Sequence, residues 1–401
     1  MAEAKVKLTD LQAWIGTVMA EEGVTDYHLD VSGNTTDGDG YLGEVTFVKI
    51  KAPNKDIHLV VKSAKASEEF RKKTPIKQAY DRETYMYTKV FPVLEQFRKE
   101  CLHQFPRCYG ACAEDRKEAL IMEDLKMSGF EVHDRRRPQN LNHALLVFRN
   151  YGKYHAVSLG LRLREPVLFQ KLTKDMSDVM AMFMTQMKIL PNVTKEFETA
   201  VDVLRRSGKG ALADKYRDVT TKLKQYLVDN GDADSTQSVI LHGDCWNNNM
   251  MFKYEDDNKT QPTDMRFIDF QLSKVASPVF DLSYYLYTCA DKPVLDQFDF
   301  LLQAYHSSLS DALEELGLDC EQVLSYDQLK QHWRKYGTYG LALAPMIVKI
   351  ELFESEEAVD FAESLKKGQG FKNTVDVKLQ EQEVYEARLL DVFQHFAEKF
   401  L

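Results

Sequence analysis

Between residues 8 and 19 apolar positions recur at three- and four-residue intervals, the spacing of an amphipathic helix. A Gly- and Asp-rich stretch, residues 32–43, leads into two β-branched runs, 44–50 and 57–61, which read as adjacent strands. From 77 to 98 the pattern turns helical, with Tyr80, Tyr87, Val90 and Leu94 on one face and Pro92 expected to kink or end the helix. Residues 119–122 read as a short strand running into the acidic pair Glu123 and Asp124. Strands, a helix and a further strand make a small α+β N-terminal region.

Beyond Asn140 the pattern is mostly helical, over 141–161, a Met-rich 176–187 and 211–227. Two short apolar runs, 238–241 and 265–268, interrupt it as strands, and the charged, proline-bearing 255–264 predicts an exposed hairpin connection. Helices are expected again from Val279. There is no internal repeat, low-complexity tract or flexible linker. The expected architecture is therefore α+β and bilobal: a small sheet-containing N-lobe (1–122), a tight hinge (123–126) and a larger, mainly helical C-lobe (127–401).

Composition narrows the function classes. With 401 residues, 44% of them hydrophobic, the chain can bury a large core. A formal net charge of −10 argues against nucleic acid as the main partner, because phosphate binding needs a basic surface. Residues 1–10 lack the apolar core of a signal peptide and no later stretch approaches a membrane span, so a cytoplasmic protein without a membrane partner is expected. The six cysteines show no paired zinc spacing and would stay reduced in that compartment. By the same logic the sequons at Asn34, Asn192 and Asn258 are incidental.

The chemistry is concentrated in H-G-D-C-W-N-N-N (242–249) and I-D-F-Q (268–271). Singly, Asp and Asn beside strand ends usually make turns. Together, an Asp, an Asn five residues on and a second Asp closing the next strand supply what phosphoryl transfer from MgATP requires. These are a carboxylate to orient a hydroxyl and oxygen ligands for Mg2+. Asp244 is the expected base, with Asn249 and Asp269 the metal ligands. Upstream, Lys62 closes the strand H-L-V-V-K, where its ammonium can meet the phosphates of ATP, and Glu83 on the following helix can pair with it. Gly38 and Gly40, in G-D-G-Y-L-G, would let the backbone approach those phosphates closely, although Gly and Asp also fill ordinary hairpins.

The set V-V-K, D-R-E-T-Y, I-M-E-D-L, Y-H-A-V-S, H-G-D-C-W-N-N-N, I-D-F-Q and S-P-V-F-D-L-S-Y resembles the insect ecdysteroid-kinase-like family, relatives of choline kinases and aminoglycoside phosphotransferases. The resemblance runs from about Gly38 to Tyr287, and A-Y-H-S-S-L with G-T-Y-G-L-A-L extends it weakly. It implies a protein-kinase-like fold with Asp244 as base, Asn249 and Asp269 on magnesium, and Lys62 with Glu83 holding the phosphates. It further implies that the backbone of Glu123 and Leu125 meets adenine at the hinge, that Asp281 braces the catalytic loop, and that His155 supports packing. Two departures stand out: Gln271 replaces the Gly of D-F-G, as is ordinary in small-molecule kinases, and Gly40 stands where relatives often carry Asn.

The stretch between Asp269 and Asp281 is too short for the activation segment and A-P-E anchor of a protein kinase, so a small-molecule acceptor is expected. The helical insertion from Leu163 to Asn230, with Met180, Met182, Phe183, Met184 and Met187, offers either an adaptable apolar cavity or plain core packing. Trp246, inside the catalytic loop, is the better candidate for a substrate wall. The resemblance implies a steroid or other hydroxylated small molecule as acceptor, in ecdysteroid hormone inactivation or xenobiotic detoxification. The alternative is a catalytically silent ligand carrier or scaffold. Such a protein would be expected to have lost the base, a metal ligand or the Lys, and all are present. The sequence does not fix an oligomeric state.

Overall fold

The computed structural model describes residues 8–34, 43–53, 55–98, 103–228, 235–255, 257–353 and 379–401. The loop glycines Gly38 and Gly40 lie outside the described residues. Strands β1 (His28–Asn34), β2 (Gly43–Ala52), β3 (Lys55–Ala64), β4 (Cys108–Cys112) and β5 (Ala119–Glu123) form one antiparallel sheet in the order β1-β2-β3-β5-β4. Because successive side chains on a strand point to opposite faces, each strand addresses two environments. Val48, Ile50, Ile57, Leu59, Val61, Ala119 and Ile121 pack against Leu11, Ile15, Val18 and Met19 of the helix Leu8–Glu21. Leu120 and Met122 point the other way, into the main core. Lys62 shares their side of the sheet, one position after Val61, and so faces the rest of the molecule.

Of the expected kink or end at Pro92, the end does not occur. Helix Ile76–Tyr85 passes through a π-helical turn, Met86–Val90, into Phe91–Phe97, with Pro92 in the first turn of the last segment. The wider turn, in which Phe91 N–H bonds to the carbonyl of Met86, re-routes the ladder around a residue that has no N–H to give. This keeps Phe91 aimed inward, stacked on Phe105 at 4.2 Å between centroids and edge-on to Phe270 at 4.8 Å. Phe270 also packs on His242 at 4.5 Å, so one aromatic cluster ties the helix that carries Glu83 to both chemical motifs.

The rest is mainly helical. Helix Leu141–Arg164 packs along Phe298–Glu315, and Val279–Cys289 packs on Thr338–Glu351. The second pair meets at Gly340, where a Cβ would lie 2.2 Å from the carbonyl oxygen of Ser283, so no larger residue fits. The helix expected over 211–227 is three short ones, Gly210–Lys215, Arg217–Thr221 and Leu223–Leu227, interrupted where Tyr216 and Lys222 bond three residues back instead of four. In the helix Val179–Gln186, Met180, Phe183 and Met184 are buried in the main core, so there packing is their role.

Two small sheets carry the chemistry. One orders β6 (Phe130–Val132), β8 (Met250–Tyr254) and β9 (Pro262–Phe267), and the other pairs β7 (Val239–Ile240) with β10 (Val275–Ala276). The connection between paired β8 and β9 is shorter than the expected 255–264, because β9 already begins at Pro262 and Asp264 pairs with Lys253. Among the described residues no helix is long and apolar enough to cross a membrane.

Candidate active site

The loop 241–249 runs from β7 to β8, and Asp269 follows β9. Since Met250 pairs with Phe267 and Ile268 N–H bonds to the carbonyl of Asn249 at 3.0 Å, the hairpin itself sets Asn249 beside the approach to Asp269. Inside the loop Gly243 has φ +88°, and a Cβ there would stand 2.2 Å from the carbonyl oxygen of Leu272, so this turn requires glycine.

Asp281, fully buried in the first turn of Val279–Cys289, clamps the loop. Its Oδ2 accepts the His242 N–H at 2.8 Å, and its Oδ1 accepts the Gly243 N–H at 2.9 Å and the Cys245 thiol at 3.1 Å. His155 approaches Oδ2 through Nε2 at 3.1 Å and meets the Tyr305 hydroxyl through Nδ1 at 3.0 Å, so it anchors the clamp as well as packing. Burial works to raise the Asp281 pKa, but the hydrogen bond and charge offered by His155 outweigh it and hold the carboxyl below its ordinary value. His242 donates from Nε2 to the Ile268 carbonyl at 2.9 Å and accepts the Asp244 N–H on Nδ1 at 3.1 Å. These bonds define a neutral imidazole, and burial lowers its pKa accordingly.

Lys62 joins the two parts of the molecule. Its ammonium lies 2.7 Å from Glu83 Oε2 and 2.9 Å from Asp269 Oδ2. Burial opposes its charge, yet the Asp269 and Glu83 carboxylates prevail and raise its pKa. Glu83 is pushed up to about 7 by burial, against the pull of Lys62. Asp269 sits at φ +68°, a left-handed conformation that few residues other than Gly adopt and that Asp tolerates. Its second oxygen, Oδ1, is buried without a hydrogen-bond partner, although the side chain as a whole is 27% exposed.

Asp244 faces this pair. Its Oδ2 accepts the Asn249 amide at 2.7 Å and its Oδ1 the Tyr284 hydroxyl at 3.0 Å. Burial first, then the negative charge of Asp269, raises its pKa to about 7, while the Tyr284 and Asn249 hydrogen bonds pull it down. A carboxyl poised there can exchange a proton near neutrality.

The structure thus brings together Lys62, Glu83, Asp244, Asn249, Asp269 and Asp281. Glu123 ends β5, its N–H bonded to the carbonyl of Arg107 at 2.9 Å. Leu125 opens the short helix Leu125–Ser128, whose first turn is capped by Asp124: its side chain accepts the Lys126 N–H at 3.0 Å and its carbonyl the Met127 N–H at 3.1 Å. Trp246 is only 9% exposed and belongs to the main core, which leaves little of its ring for a ligand. Sequence reasoning missed Tyr284, whose only signal is its place one helical turn after Asp281. It also missed the support of Asn247, whose Oδ1 accepts from Gln139 at 2.7 Å and whose amide donates to buried Glu351 at 2.8 Å, itself paired with Arg388 at 3.0 Å.

Metal fit is testable on these atoms. Among the described residues no three His, Cys, Asp or Glu side chains form a metal cluster. Magnesium is commonly held by one or two carboxylates plus waters and substrate phosphates, not by an all-protein cage, so the absence of a cage is no obstacle. Asp269 Oδ1, buried and unpartnered, is a fitting ligand, and the Asn249 amide nitrogen, committed to Asp244, leaves the amide oxygen for a cation.

A five-stranded sheet whose Lys62 pairs with Glu83 of the helix Ile76–Tyr85, ahead of a mainly helical region that carries a clamped Asp loop and an Asp after a hairpin, defines a bilobal kinase-like fold. The sequence model of the ecdysteroid kinase-like family matches residues 37–318. The chain belongs to that family. Among solved structures it is similar to a Plasmodium vivax ethanolamine kinase, at 14% identity and TM-score 0.41, over 97% of this chain and 90% of that one. A GDP complex of a mutant aminoglycoside 2'-phosphotransferase matches at 11% identity and TM-score 0.39, covering 89% and 99%. Spectinomycin phosphotransferase, with ADP and spectinomycin, matches at 14% and 0.37, covering 86% and 98%. No curated protein matches the chain by sequence.

Proposed function

We propose that the chain is a small-molecule kinase that transfers the γ-phosphate of MgATP to a hydroxyl held beside Asp244. The observation that carries this reading is the bridge of Lys62 to Glu83 and Asp269, set against the Asp244–Asn249 pair, because it assembles phosphate-binding and proton-accepting groups from opposite parts of the chain. In this reading residues 1–122 and 127–401 are the two lobes, with nucleotide between them and the adenine meeting the backbone of Glu123 and Leu125 at the hinge. Lys62, held by Glu83, binds the phosphates, and Gly38 and Gly40 would let the backbone meet them closely.

Asp244 accepts a hydrogen bond from the acceptor hydroxyl, aligns its oxygen with the γ-phosphorus and takes up its proton as the new O–P bond forms and the bond from the γ-phosphorus to the β-phosphate oxygen breaks, with ADP as the leaving group. Asp269 and the Asn249 amide oxygen would hold magnesium, which when bound supplies positive charge to the phosphate oxygens. The family name supports an ecdysteroid or related hydroxylated compound as acceptor, in hormone inactivation or detoxification.

Binding to the folded form alone stabilises it. Nucleotide and magnesium added together, at about a hundred times the dissociation constant, should contribute ~2.7 kcal/mol and raise the melting temperature by several degrees. No shift with millimolar MgATP in a thermal melt would contradict the proposal.

A further inference from the structure

The strongest unassigned feature is the contact between Tyr284 and Asp244. Helix Val279–Cys289 grips the catalytic loop at two levels. In its first turn Asp281 takes the N–H groups of His242 and Gly243 and the thiol of Cys245, and so fixes the backbone on both sides of Asp244. One turn later, on the same helix face, the Tyr284 hydroxyl donates to Asp244 Oδ1 at 3.0 Å. Tyr284 is 1% exposed, and a buried tyrosine hydroxyl requires a partner, here supplied by the carboxylate itself. Its position is set in turn by the contact between Ser283 and Gly340, which seats Val279–Cys289 on Thr338–Glu351, and by the ring of Tyr339 at 6.4 Å.

We propose that Tyr284 is a positioning residue that fixes the orientation of the Asp244 carboxylate for phosphoryl transfer. The proposal rests on the kinase reading above. The torsion that turns an Asp carboxylate is intrinsically broad, so one hydrogen bond leaves it able to rock. Asn249 holds Oδ2 at 2.7 Å and Tyr284 holds Oδ1, which pins the carboxylate plane through both oxygens. An ionised carboxylate offers about four acceptor sites, so the two remaining ones stay available to the incoming hydroxyl, now in a fixed direction. Orientation of this kind matters because small misplacement of a reacting group costs large factors in rate.

Tyr284→Phe keeps the ring and its packing and removes only the donor. With phosphate release from MgATP as the assay, water serving as acceptor, kcat should fall by about ten- to a hundredfold, the scale of a hydrogen bond to a charged group. KM for MgATP and the MgATP-induced melting shift should stay within about twofold of the unsubstituted chain. In an Asp244→Asn background the same substitution should cost less than about twofold further, since residues that act as a unit are not additive. A crystal structure of the Tyr284→Phe chain should show the Asp244 carboxylate turned from its present orientation.

Unchanged kcat, an equal loss in both backgrounds, weakened MgATP binding or a superimposable carboxylate would each overturn the inference. An unsubstituted chain with no melting shift in MgATP would overturn the kinase reading instead, and the crystallographic comparison would still decide whether Tyr284 holds Asp244 in place.

Discussion

Replacing Asp244 with Asn should give a folded chain that binds MgATP nearly normally and turns it over ~10²–10⁴-fold more slowly, the range positioned proton transfer contributes. Asn keeps the shape, and with its oxygen toward Tyr284 the hydroxyl still finds an acceptor, but its NH2 then faces the Asn249 amide nitrogen that Asp244 Oδ2 accepts at 2.7 Å, so that one hydrogen bond is lost, and the side chain can no longer take a proton. The substitution also removes a carboxyl whose charged form is disfavoured by burial and by Asp269, which offsets part of the cost of that lost hydrogen bond and should leave the chain folded. A thermal melt and a phosphate-release assay on the same preparation check both halves. Loss of nucleotide binding would reassign Asp244 as a metal or structural residue, and normal turnover would remove it from the chemistry and favour a silent carrier.

Asp269→Ala should abolish turnover and the magnesium dependence of nucleotide binding together. It removes the hard oxygen donor with a buried, unpartnered lone pair and one of the two anions that hold Lys62. Alanine at φ +68° is also strained, so a loss of stability is expected alongside. Asp269→Asn tolerates that backbone better and separates the two effects: it should stay folded, yet still lose most of the magnesium dependence. Asn249→Ala should weaken metal-dependent binding less, because an amide oxygen is a poorer ligand than a carboxylate. Nucleotide titrations with and without magnesium on the three variants check the order, and full activity in Asp269→Ala would remove the assignment.

Lys62 could be placed from sequence because strand alternation is a local rule: with Val61 on one face, its neighbour must take the other. Of the hairpin carrying Asn249 and Asp269, the second strand and the charged connection were legible; its first strand, β8, was not, and the run 238–241 expected as the other strand pairs with β10 instead. Strand β4, C-Y-G-A-C, was not legible either, because its half-buried edge position leaves no alternation to read. At Pro92 a local rule predicted a kink or an end, and the helix does not end: a π-helical turn carries it past the proline, with Phe91 packed on Phe105 and Phe270. Tyr284, Gln139, Glu351 and Arg388 were invisible for a third reason. Their partners in the catalytic loop, or the partners of those partners, lie far away along the chain, and only helix packing, as at Gly340 against Ser283, brings them there. The chemical groups were therefore readable, and the groups that hold them in place were not.

A crystal structure with magnesium and a non-hydrolysable ATP analogue tests the central claim most directly. The account predicts a triphosphate in contact with Lys62, a metal ion held by Asp269 and the Asn249 amide oxygen, and a terminal phosphate facing the carboxylate of Asp244. Nucleotide bound away from Lys62, or a metal ion ligated by Asp244 in place of Asp269, would contradict it.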